Sequence, residues 1–216
     1  MLLNPQSVLS NYSHLNKLTD CHCLCFPNSL ATKLGKTYVK KTIEWFLADS
    51  QRFIFHVEVN GEVAGYCGGF IPKGIGDGSS SGMLQFGFNE AIKGFITKPW
   101  LAFNKEVRAA YPFIFRNIKR KLFNNVNATT IVPKEPEKYV VNPGLVVICV
   151  QPKYRGTAVF GILMNQFDAA VKSYGFNNGF LSVRVDNEKA IKGYKKYGWT
   201  ILETNYNTHV MQKHME

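Results

Sequence analysis

Apolar and polar residues alternate most cleanly in "FIFHVEVNGEVAGYCGGF", residues 53 to 70. Asn60-Gly61 in its middle suits the two-residue turn of an antiparallel hairpin, so two strands are expected here. Upstream, Leu15 to Ser50 carries a helical pattern interrupted at "FPNS", where Pro27 and Asn28 turn the chain and Ser29 caps the next helical segment. Leu34, Tyr38, Ile43 and Phe46 then recur at roughly helical spacing, which predicts two short helices in this region. The last third alternates between periods. Leu145 to Val150 reads as a strand, and Val159, Leu163, Phe167, Ala170, Val171 and Tyr174 form a helical stripe closed by Gly175. "GFLSVRV" is a strand, "NEKAIKGYKKY" a helix capped by Asn187 or Asp186, and "GWTILET" with "THVMQK" a final hairpin. This order predicts an α/β fold with a mixed, mostly antiparallel sheet flanked by helices, and no internal repeat is visible.

Between the hairpin and the last third the pattern changes. "IPKGIGDGSSSG" contains glycines 74, 76 and 78, but no Gly-Lys-Ser/Thr comes after it, so it reads as a flexible loop rather than a phosphate cradle. Residues 84 to 123 read as one or two amphipathic helices interrupted at Pro99 and Pro112. Lys93, Lys98, Lys105, Arg108, Arg116, Lys119, Arg120 and Lys121 there face only Glu90 and Glu106. "VPKEPEKYVVNPG" has the prolines of an ordered connector. The whole chain, 1–216, is thus one domain, with residues 71–142 as an insertion within it.

Composition narrows the partners. Hydrophobic residues make up 45% and charged ones 19%, enough for a packed interior. No run of 18 apolar residues occurs, and Asn4, Pro5 and Gln6 break the apolar start, so a cytoplasmic protein is expected. A net charge of +11 points to an anionic partner, and its concentration in the insertion suits an anionic lipid surface or a nucleotide-bearing ligand. Nucleic acid is the weaker reading, since no basic run is interleaved with stacking aromatics. The five cysteines are odd in number and do not suggest a secreted disulfide framework. "CHCLC" puts Cys21 and Cys25 on one helix face and Cys23 off it, with no second Cys/His pair at finger spacing. They read as buried small hydrophobes rather than metal ligands.

The strand at 145–150 runs through "VQPKYRGTAVFG" directly into a helix. A helix start leaves backbone N–H groups without internal partners at the positive end of its dipole, and a glycine there lets an anion approach the backbone. The residues alone leave open an anion site or a turn without a ligand. Thirty residues on, "DNEKAIKGYKKYGW" brings Asn187, Ala190 and Tyr194 near one helix face.

Together these stretches resemble the GCN5-related N-acetyltransferase (GNAT) superfamily, whose cofactor motif runs Arg/Gln-x-x-Gly-x-Gly/Ala after the fourth strand. Val150, Pro152, Tyr154, Arg155 and Gly156 fit, whereas Ala158 stands for the usual Gly and the bulkier Phe160 for Gly or Ala. "DNEKAIKGYKKYGW" is similar to the family's Asn-x-x-Ala-x-x-x-Tyr-x-x-x-Gly-aromatic pattern, with Trp199 for Phe. The resemblance covers most of the chain apart from 71–142. It implies acetyl-CoA as acyl donor, lying where Leu145–Val150 and Phe180–Val185 splay apart. Peptide groups at Cys149 and Val150 would bond its arm. Arg155, Gly156, Thr157, Ala158, Val159, Phe160 and Gly161 would surround its diphosphate, with Asn187 and Ala190 also contacting it. Tyr194 would give a proton or hydrogen bond to the leaving thiolate. The family transfers directly, so no acyl-enzyme on Cys149 is expected. His56, Glu58 and Asp186 lie near the expected cleft, and none is assigned as general base. The implied acceptor is a small amine, such as an amino sugar or its nucleotide- or lipid-linked form. A non-catalytic CoA-fold binding module is the alternative, and both a monomer and a homodimer stay open.

Overall fold

The computed structural model of the chain describes residues 5–73, 79–104, 107–108 and 142–215. The amphipathic pattern read beyond Arg108, the connector as far as Val141, and the glycines at 74, 76 and 78 therefore lie outside the described residues. A first strand, β1 (Gln6–Leu9), is followed by α1 (Leu15–Cys25), α2 (Leu30–Leu34) and α3 (Lys36–Leu47). The hairpin β2 (Arg52–Val59) and β3 (Glu62–Phe70) leads to α4 (Ser79–Phe86) and α5 (Phe88–Thr97). The remainder runs β4 (Gly144–Val150), α6 (Val159–Ser173), β5 (Asn178–Arg184), α7 (Glu188–Lys196), β6 (Thr200–Asn205) and β7 (Thr208–His214).

These elements build a seven-stranded sheet in the order β1-β2-β3-β4-β5-β7-β6. Every neighbouring pair is antiparallel except β4 and β5. The hairpin turn forms as expected because Asn60 and Gly61 take φ of 54° and 77°, the left-handed region that this tight reversal requires.

Three local expectations change. β1 was not anticipated: its four residues are too few to show a period, and it exists by pairing Gln6–Leu9 along β2. The helical stretch to Leu47 holds three helices rather than two, because Gly35 at φ 126° breaks it a second time. The serines after the Gly-rich run do not stay in a loop, since α4 starts at Ser79. That stretch is helical through Thr97 with a break at Gly87.

Helix α6 covers one face of the sheet, where Leu163, Met164 and Phe167 pack on Val57, Cys67, Leu181 and Met211. Its outer side is tied to β7 by a half-buried Lys213–Asp168 ion pair. α1 and α3 cover the other face, placing Leu18, Ile43, Trp45 and Phe46 on Ile54 and Tyr66. Each large apolar side chain so buried contributes about 1.5–3 kcal/mol. The far edge strand is different: every residue of β6 is exposed, and Leu202 bulges out of its register with β7. None of the helices among the described residues is long and apolar enough to cross a membrane.

Close approach of β3 and β4 depends on Gly65, where a Cβ would stand 2.5 Å from the Cys149 carbonyl oxygen and 3.2 Å from Val159 Cγ1. Backbone cannot yield as a flexible side chain can, so Gly65→Ala should destabilise the protein by about 1–3 kcal/mol. A lower urea midpoint with an unchanged slope is expected.

Candidate active site

β4 and β5 pair at only two positions, Gly144 with Phe180 and Leu145 with Leu181. One residue further along, Val146 is extra in the register between β4 and β3, where Gly68 faces Val147 but Gly69 faces Leu145. This bulge bends β4 where its contact with β5 ends. Gln151 N–H donates to Ala64 at 2.8 Å, which fixes the phase of β4. By strand alternation Cys149 and Val147 turn their peptide groups toward β3, while Ile148 and Val150 present theirs to the open side. The Val150 and Ile148 peptides thus face the opening, and the Cys149 peptide faces β3.

At the end of this opened strand a single turn of 3₁₀ helix, Pro152–Tyr154, leads through Arg155 and Gly156 to the start of α6. Gly156 has φ 82°, the conformation that lets the chain reverse into the helix. Thr157 Oγ1 donates to the Tyr154 carbonyl at 2.6 Å and fixes the turn. The N-cap residue Ala158 makes no side-chain cap, and Thr157 Oγ1 accepts from the Val159 N–H alone, at 3.4 Å. Among the described residues, the N–H groups of Gly156, Ala158, Phe160 and Gly161 donate to no other backbone group. Free amides at the positive end of a 15-residue helix form an anion-binding surface. Arg155 adds a fixed positive charge, its Nε reaching the Val150 carbonyl at 3.3 Å.

The Phe160 ring is aimed away from those amides. It packs edge-on against Tyr197 at 5.4 Å and tilted against Tyr194 at 6.2 Å, with its Cζ over Gly193. It therefore forms a wall between α6 and the end of α7. Gly161 serves the same junction: a Cβ there would meet the Tyr197 hydroxyl at 2.4 Å. Asn187 caps α7 by accepting from the Ala190 N–H at 3.3 Å. Burial raises the Tyr194 phenol to about 12, so it stays a proton donor at any physiological pH.

No family model matches the sequence, and no curated protein sequence matches it. Solved structures do resemble it. The PH1933 protein of Pyrococcus horikoshii OT3 superposes with a TM-score of 0.58 at 13% identity, over 100% of this chain and 99% of that one. The acetyltransferase of GNAT family from Streptococcus pneumoniae gives 0.55 at 11% identity, over 99% and 100%. The PaiA N-acetyltransferase of Thermoplasma acidophilum, solved in complex with coenzyme A, gives 0.55 at 9% identity, over 98% and 99%. This is the GNAT fold.

Within the GNAT fold of this chain, the three residues considered as general base are each engaged elsewhere. Asp186 holds Arg184 through two oxygens, at 3.0 and 2.6 Å. Glu58 pairs with Lys17 at 3.2 Å. His56 is fully buried, its Nδ1 2.8 Å from Ser10 Oγ. The aromatic wall, and Tyr197 in particular, escaped sequence reasoning. Its signal was available in the bulky Phe160, whose ring needs partners, and in Gly193, which leaves room for it.

This geometry has two measurable outcomes. An L-residue at the Gly156 φ costs about 1–2 kcal/mol, so Gly156→Ala should weaken binding of a diphosphate ligand such as CoA roughly tenfold by calorimetry. His56 is kept neutral: burial lowers its pKa below the ordinary 6.5, the His14 ring at 4.6 Å and Lys17 act in the same direction, and Glu58 at 3.5 Å opposes them. A folded-state pKa below the unfolded one means that its contribution is complete above about pH 6.5 and lost as pH falls through the lowered value. The urea midpoint should decline below pH 6.5, and less steeply in His56→Gln.

Proposed function

We propose that the chain is an acetyl-CoA-dependent N-acetyltransferase. The observation that carries this reading is the continuity of two features: a strand edge left open by the β4–β5 splay runs straight into a helix start whose amides are free. An extended amide-bearing arm ending in a diphosphate has the shape and chemistry to use both. Ile148 and Val150 would pair with the arm as a strand would, and the free amides of Gly156, Ala158, Phe160 and Gly161 with Arg155 would hold the diphosphate. Hydrogen bonds of amides to a charged group are worth about 1.5–3 kcal/mol each. The coenzyme A complex of the Thermoplasma neighbour supports the same choice of ligand.

In the reaction a neutral amine attacks the thioester carbonyl, forming the amide C–N bond as the C–S bond breaks. Catalysis rests mainly on holding the two reactants in line. The proton carried by the amine leaves to solvent, and Tyr194, protonated by virtue of its burial, gives one to the departing sulfur and regains one from solvent, so that an amide, a free thiol and the starting phenol result. Its neighbours Phe160 and Trp199, at 6.2 Å each, hold the phenol in that apolar setting.

The acceptor we infer is an amine on an anionic carrier, a nucleotide- or lipid-linked amino sugar. The charge of +11 supports this, as do the strongly exposed Ile96, Trp100 and Phe103, which stand beside Lys98 on the described part of the insertion. The test is calorimetry with CoA, and then thiol release from acetyl-CoA across free, nucleotide-linked and lipid-linked amino sugars. Binding with turnover is expected; binding with no turnover of any amine would point instead to a non-catalytic module, and no binding at millimolar CoA would overturn both. With a turned-over acceptor, Tyr194→Phe should lower kcat by about 100-fold or more while leaving CoA affinity nearly unchanged.

A further inference from the structure

On the face of the sheet opposite α6, three thiols from distant parts of the chain meet. Cys21 and Cys25 stand one turn apart on α1, and Cys149 comes from β4, the last residue but one before the strand ends. Their Sγ atoms all lie within 4.8 Å of one another, with Cys21 and Cys25 at 3.9 Å. All three are buried, packed with Tyr66 and Ile54. Cys23 is only half-buried and outside the group, and Cys67 lies on the α6 face.

We propose that Cys21, Cys25 and Cys149 bind one Zn²⁺ ion that pins α1 to the end of β4. The spacing is that of ligands rather than of neighbours packed at random. Thiolates bound at about 2.3 Å in tetrahedral arrangement stand about 3.8 Å apart, so the observed separations close onto an ion with little movement. They are too wide for a disulfide, whose sulfurs are about 2.05 Å apart.

Ionised thiolate is the binding form. Binding expels the thiol protons to solvent, and three thiolates with Zn²⁺ carry a single net negative charge. On the same helix His22 shares a hydrogen bond at Nδ1 with the Tyr66 hydroxyl at 2.6 Å, and its buried Nε2 has no partner among the described residues; neither nitrogen joins the thiol cluster, so His22 is not one of the proposed ligands. The Cys-His-Cys-Leu-Cys run alone did not suggest the site, because its third sulfur is supplied by β4.

The test uses the full chain, purified with a metal-free reductant without oxygen, and titrated with Co²⁺ as a visible stand-in for Zn²⁺. One Co²⁺ per chain is expected, with thiolate charge-transfer and tetrahedral d–d absorption that Zn²⁺ abolishes. The bands should persist in Cys23→Ser and Cys67→Ser and vanish in Cys25→Ser and Cys149→Ser, with folding checked by circular dichroism. Bands absent from the native chain, or unchanged in both Cys25→Ser and Cys149→Ser, would overturn the proposal. Should those variants misfold, native mass spectrometry of the unaltered chain decides: one Zn²⁺ retained against a weak chelator supports the site, and a metal-free mass refutes it. No step depends on acetyl transfer, so the result is independent of the catalytic reading.

Discussion

The architecture turns on a refusal to pair. Buried backbone N–H and C=O groups are nearly always satisfied, and a strand in mid-sheet normally satisfies them on both sides. β4 does so toward β3 along its length but meets β5 at only two residues. The bulge at Val146 is the local cause, since an extra residue on one edge cannot keep register on the other. The strand partners missing from Ile148 and Val150 on that side, where only Arg155 Nε reaches the Val150 carbonyl, are the cost of that geometry, and they create inside the domain what most sheets show only at their rims: an edge that an extended ligand can join.

The helix after β4 is oriented by the same strand. Because β4 runs parallel to β5, its connection must cross over, and α6 returns across the sheet with its N-terminus at the point where the strands part. The positive end of the dipole and the open edge are therefore two results of a single topology. Apolar packing fixes them in place: Val159, Leu163 and Phe167 anchor α6, and the Phe160, Tyr194 and Tyr197 rings close its junction with α7.

The features legible from the residues were those that depend on neighbours in sequence. The hairpin at Asn60-Gly61, the strand-to-helix turn at Gly156, the Asn187 cap and the final hairpin all carry their own conformational signals, and each formed where expected. The features that went unseen rest on contacts made across the fold. β1 is a strand only by virtue of β2. The orientation of the Cys149 peptide depends on a bulge set by β3. The direction of the Phe160 ring is decided by Tyr197, and the meeting of Cys149 with Cys21 and Cys25 by the packing of α1 on the sheet. The general base stayed unassigned for a related reason, since His56, Glu58 and Asp186 each serve a nearby structural partner.

The bulge at Leu202 has a different consequence from the one at Val146. β6 ends the sheet with its residues exposed and its outer edge paired to no described strand, the kind of edge on which strands of separate molecules can stack. By throwing one residue out of step, the bulge disturbs the regular comb of donors and acceptors that a second chain would need, which works against growth from this edge.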